Sequence, residues 1–184
     1  MRIQSLLLAV VLGAHLVSCQ QEKTLYELKS SDETGISFTN EIVESDSFNI
    51  LTDEYIFNGG GVATADFDQN GLPDLFFTGN QVANRLYLNQ GEFSFTDVSE
   101  QAGILADDKW CTGSVIVDIN NDGWPDIYVA TAMKKGPGER NNLLFVNQGK
   151  DAEGKISFKE MASQYGIADP GNSMGAAFLD YDLD

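Results

Sequence analysis

Two acid-rich nonapeptides in the same order of residue types dominate this 184-residue chain: Asp66-Phe67-Asp68-Gln69-Asn70-Gly71-Leu72-Pro73-Asp74 and Asp118-Ile119-Asn120-Asn121-Asp122-Gly123-Trp124-Pro125-Asp126. A third begins at Asp180-Tyr181-Asp182-Leu183-Asp184. The likeness continues outside them. Asn84-Arg85-Leu86-Tyr87-Leu88-Asn89-Gln90-Gly91 aligns with Asn142-Leu143-Leu144-Phe145-Val146-Asn147-Gln148-Gly149, and Phe95 to Ile104 aligns with Phe158 to Ile167. Internal repetition fixes architecture before local propensity is consulted. From Asp66 to Asp118 is 52 positions and from Asp118 to Asp180 is 62. The longer interval is accounted for by two polar insertions, around Lys134–Glu139 and Lys150–Gly154, where hairpin tips belong.

Each unit predicts four short strands bounded by Gly, Asn or Pro: 61–67, 75–79, 85–89 and 93–98, then 114–119, 127–131, 143–147 and 156–161. Val115-Ile116-Val117 and Leu75-Phe76-Phe77 are apolar on both faces, which suits sheets covered on each side by a neighbour. The expectation is an all-β fold, a partial β-propeller of four-stranded blades. A single such unit cannot bury its own core, and stacking does it instead. Residues 55–184 carry about two blades and the start of a third, and residues 19–54 form a tether and lead-in. Closed propellers usually need about four to eight blades, so the chain reads as an N-terminal fragment of a longer protein.

Oxygen donors at loop positions 1, 3, 5 and 9, a carbonyl at 7 and glycine at 6 describe a cage for a hard cation. The first loop offers Asp66, Asp68, Asn70, the Leu72 carbonyl and Asp74. The second offers Asp118, Asn120, Asp122, the Trp124 carbonyl and Asp126; the third starts with Asp180, Asp182 and Asp184. Gly71 and Gly123 permit the positive φ of a tight bend. Ligation by oxygen alone points to Ca²⁺, because Mg²⁺ keeps more of its waters. An EF-hand needs a glutamate at position 12 and flanking helices; here Phe77 and Val129 stand there and the flanks are strand-like.

These loops, the Asn-Arg-Leu-Tyr-Leu-Asn-Gln-Gly strand and the closing Gly-Ile resemble the FG-GAP/VCBS repeats of integrin-like β-propellers. The resemblance covers residues 57–184. It implies a metal that rigidifies a hairpin within each blade, and a propeller that serves adhesion or ligand binding. Where that family carries Phe-Gly and Gly-Ala-Pro, this chain has Gly61-Val62-Ala63, Gly113-Ser114-Val115 and Gly175-Ala176-Ala177.

The amino terminus reads as an address. Arg2, an apolar run from Leu6 to Val17 and then Leu16-Val17-Ser18-Cys19 resemble the signal and box of a bacterial lipoprotein, with Cys19 lipidated. The expected location is the cell envelope, lipid-anchored, at the outer membrane or cell surface. Removing residues 1–18 takes away His15, the only histidine, so Ser-His and Cys-His nucleophile pairs and histidine zinc sites are excluded from the mature chain. Cys111 is then an unpaired thiol, read as a small core residue.

Charge narrows the function further. With 28 Asp+Glu against 11 Lys+Arg, a net charge of −17 repels phosphate backbones and argues against nucleic acid as a partner. Binding of a protein or glycan by a calcium-stabilised module, without catalysis, is the reading that absorbs the repeated acids. The alternative is an exported carboxylate-dependent enzyme acting on polysaccharide, since two carboxylates suffice for glycoside cleavage; its active site would lie partly outside this chain.

Overall fold

A computed structural model describes residues 25–133 and 139–182. The lipoprotein box with Cys19, most of the first insertion and Asp184 lie outside the described residues. Eight strands form two four-stranded antiparallel sheets, each in sequential order. The first contains β1 (Val62–Ala65), β2 (Asp74–Phe77), β3 (Arg85–Asn89) and β4 (Phe95–Asp97); the second contains β5 (Cys111–Val117), β6 (Asp126–Thr131), β7 (Leu143–Lys150) and β8 (Ile156–Glu160). The fold is therefore mostly β and propeller-like, as the repeat implied.

The core lies between the two sheets. Phe67, Phe76, Leu86 and Ile104 from the first meet Cys111, Ile127, Val129, Phe145, Ile156 and Phe158 from the second, with Phe67 and Phe158 edge-to-face at 6.0 Å. Alternation along β6 explains why its interior, Ile127 to Ala130, is apolar on both faces. Ile127 and Val129 face the first blade, while Tyr128 turns to the opposite side with Leu144, Val146 and Ala162. All six β6 residues are buried, whereas β1 alternates exposed and half-buried positions. Cys111 sits in the inter-blade core as expected, and burial pushes its thiol up to about 12.

Backbone contacts recur from blade to blade. The Cys111 N–H donates to the Gly79 carbonyl at 3.0 Å, and the Ser173 N–H donates to the Thr131 carbonyl at 2.9 Å. A β-carbon on Gly61 would stand 3.0 Å from the Thr112 oxygen, and one on Gly113 would stand 2.6 Å from the Met174 oxygen. Glycine here answers to close approach of neighbouring backbones. The segment from Ser173 thus meets the second blade as the second meets the first.

Several boundaries differ from expectation. β1 ends at Ala65 because Phe67 turns its N–H to the Asp74 side chain. β7 runs on to Lys150 through an irregularity after Asn147. Two helical turns lay outside the strand pattern: α1 (Ser31–Thr34), closed by a Ser30–Glu33 capping box, and α2 (Ser99–Ala102). The lead-in packs on the first blade well before residue 55. Phe38 stacks on Phe77 with centroids 5.1 Å apart, Asn40 and Asn80 exchange hydrogen bonds, and Phe48 meets Trp110 edge-on.

Candidate metal centre

Each acidic nonapeptide is the connection between the first two strands of its blade, so the ladder fixes both ends of the loop. Within it, two residues take the left-handed conformation. Gly71 (φ 85°) and Gly123 (φ 87°) do so as expected; Gln69 and Asn121, both at φ 55°, do so as well. The bend is tight enough for side chains at the start to collect backbone donors from the far side. Asp66 accepts from the Asn70 and Gly71 N–H groups at 2.9 and 2.8 Å. Asp118 accepts from Asp122 and Gly123 at 3.1 and 2.8 Å. At position 5, Asn70 accepts the Leu72 N–H and Asp122 the Trp124 N–H, both at 2.8 Å.

The ninth residue anchors each loop to the sheet. One Asp74 oxygen accepts the Phe67 N–H and the other the Asn89 N–H, both at 2.8 Å. Asp126 does the same with Ile119 and Asn147, at 2.9 and 2.8 Å. Both carboxylates are fully buried. Burial pushes the Asp74 carboxyl up to about 6, against the pull of its two backbone bonds, with Asp68 and Asp66 adding to the rise. Asp126 is shifted in the same direction, again chiefly by burial.

In the first loop the charges converge. One oxygen from each of Asp66, Asp68 and Asp74 lies within 4.8 Å of the others, the one such group of three metal-ligating side chains among the described residues. Each carboxylate oxygen can accept more than one bond, so backbone donation leaves lone pairs for an ion. Three hard, anionic donors fit a divalent cation. Asp118, Asp122 and Asp126 are not gathered to that degree; Asp122 is exposed and accepts from the Asn120 amide at 2.7 Å. Asp180 and Asp182 stand exposed at the end of the described chain.

Asn89 and Asn147 were missed as parts of the site. Besides their N–H bonds to the ninth aspartate, their side chains brace the loop through the Pro73 and Pro125 carbonyls, at 2.9 and 3.3 Å. The signal was present in the repeated Asn-Gln-Gly, which carried no assigned role.

Paired four-stranded antiparallel sheets with acid-rich first hairpins define a propeller-type repeat protein. Residues 66–129 match the model of the FG-GAP-like repeat family. It is also similar to cartilage acidic protein 1 of Mus musculus, 28% identical over 125 residues, and to that of Xenopus tropicalis, 26% identical over the same length. Those alignments take in 67% of this chain and 18% of each relative, so the chain spans under a fifth of the relatives' length. No helix among the described residues is long and apolar enough to cross a membrane.

Proposed function

We propose that this protein is a calcium-fastened binding module that works outside the cytoplasm and recognises a protein or glycan. The observation that carries the reading is the convergence of Asp66, Asp68 and Asp74 in a loop that bridges two strands. In this reading the first ion is held by those three carboxylates with Asn70 and the Leu72 carbonyl. A second is held by Asp118, Asn120, Asp122, Asp126 and the Trp124 carbonyl, and Asp180, Asp182 and Asp184 open a third site. Bound calcium supplies positive charge that offsets carboxylate repulsion. The chain's own residues supply the bend and the anchoring of the ninth aspartate to β3 or β7. Likeness to an FG-GAP-like repeat supports a role in binding or adhesion rather than turnover. Cys19, lipidated, would tether the module to a bacterial envelope, with the acidic surface held away from nucleic acid.

Thermal melts in EDTA and in millimolar calcium test the fastener: calcium is expected to raise the melting temperature by several degrees, and identical melts would refute it. Screening the purified chain against glycan and protein panels tests the binding role, with saturable binding and no product expected. Turnover of a polysaccharide would favour the enzyme instead.

A further inference from the structure

Lys150, the last residue of β7, reaches from the second blade to the first loop and places its Nζ 3.8 Å from Asp68 Oδ2. Two of the hydrogen bonds between the blades lie beside this contact. The Asn147 amide donates to the Phe67 carbonyl at 3.0 Å, and the Gln69 amide donates to the Gly123 carbonyl at 3.0 Å. The ladder irregularity between Asn147 and Lys150 lies just where the side chain departs. Asp68 is nearly buried whereas Lys150 is exposed, so a solvent-accessible ammonium faces a largely covered carboxylate. Alignment of Gly91 with Gly149 puts Glu92 at the position of Lys150 in the first blade, the opposite charge.

We propose that Lys150 competes with the divalent cation for the first loop and so sets that loop's affinity; the proposal rests on the calcium reading above. An entering ion must share Asp68 with the ammonium or displace it. A fixed positive charge so near an ion site opposes binding in either case. Lys150 retains some solvent contact, with 36% of its side chain exposed, so the opposition is screened by salt. Among the described residues no ion pair links a lysine or arginine to Asp118, Asp122 or Asp126, so the effect is expected at the first loop.

Terbium luminescence can read the loops separately, because the second loop places Trp124 at position 7 beside its ion site. Leu72 occupies that position in the first loop. A β-carbon at Gly91 would be 4.0 Å from Leu72, and one at Gly149 would be 3.1 Å from Trp124, so the two side chains pack over equivalent glycines. A chain carrying Leu72→Trp and Trp124→Phe therefore reports on the first loop. Trp110 gives the same background in both chains. Calcium displacement of terbium is followed with and without Lys150→Met. The account expects the calcium midpoint at the first loop to fall roughly 3- to 10-fold, equivalent to about 1 kcal/mol, with the second loop unchanged within about twofold. The gain should shrink in molar salt. Calorimetry of Lys150→Met and Lys150→Glu in the otherwise native chain repeats the test without the tryptophan exchange, and Lys150→Glu should bind tighter still. An unchanged or weaker first loop, or equal shifts at both loops, would overturn the role of Lys150 alone. Failure of the unaltered chain to take up either ion would remove the calcium reading and this proposal together.

Discussion

The first acidic loop and the second, 52 residues apart, share one hydrogen-bond plan and differ in where they put charge. In both, position 1 collects the N–H groups of positions 5 and 6, and position 9 collects one from position 2 and one from the third strand. The first loop carries aspartate at position 3 and asparagine at 5; the second reverses them. Only the first draws three carboxylates within 4.8 Å among the described residues, and it alone faces a lysine from the neighbouring blade. The shape of the loop is thus set by positions 1, 6 and 9, and its appetite for an ion by position 3 and its surroundings.

The largest effect should come from the shared part. Asp74→Ala and Asp126→Ala each strand two backbone N–H groups, and unsatisfied buried donors cost about 1–3 kcal/mol apiece. Urea unfolding in EDTA should show a loss of about 2–6 kcal/mol for each substitution. A large loss at one site and none at the other would break the common plan.

Exchanging position 3 should separate the loops next. Asp68→Asn is expected to weaken calcium binding at the first loop roughly tenfold, about 1.4 kcal/mol. Asn120→Asp should tighten the second by a similar factor. Calorimetry reads both, and affinities insensitive to either exchange would deny charge its role.

The bends are of comparable size. Gly71→Ala and Gly123→Ala meet no neighbouring atom within 4 Å, so only the left-handed backbone is penalised. Each should cost about 1–2 kcal/mol, equally in the two loops, by thermal melt.

A further signal is in pH. The folded Asp74 carboxyl sits near 6, above its ordinary 3.8, so protonation favours the folded metal-free chain. That contribution is full below about pH 4 and is lost as the pH rises through about 6. Asp126 works in the same direction. Calcium needs the ionised form, so its stabilising effect should grow over the interval in which the proton's fades. Melts across that range, with calcium and with EDTA, should converge at the acid end; a constant difference would contradict the competition.

Much of the fold was legible because repetition compares the chain with itself. β3 was placed to the residue, and the loop bends were marked by Gly71 and Gly123. Leu75-Phe76-Phe77 and Val115-Ile116-Val117 were expected to be covered on both faces; Phe76 is buried and the other five are half-buried, while burial on both faces is complete in β6 instead. What escaped depends on contacts between blades or on single residues. The chain ends of β1 and β7 shift because Asp74 captures Phe67 and because the ladder slips after Asn147. The docking of Phe38 and Asn40 joins residues about 40 apart, and no local pattern reports it. The capping box at Ser30–Glu33 was readable, but its surroundings looked like a tether. In the site, aspartates announced themselves, whereas Asn89 and Asn147 lie 15 and 21 residues from the aspartates they anchor, a contact that no local pattern discloses.

A diffraction map of crystals grown in millimolar calcium tests the central claim most directly. The account predicts an anomalous peak in the first loop, ringed by Asp66, Asp68, Asp74 and the Leu72 carbonyl. Water alone among those carboxylates would contradict it.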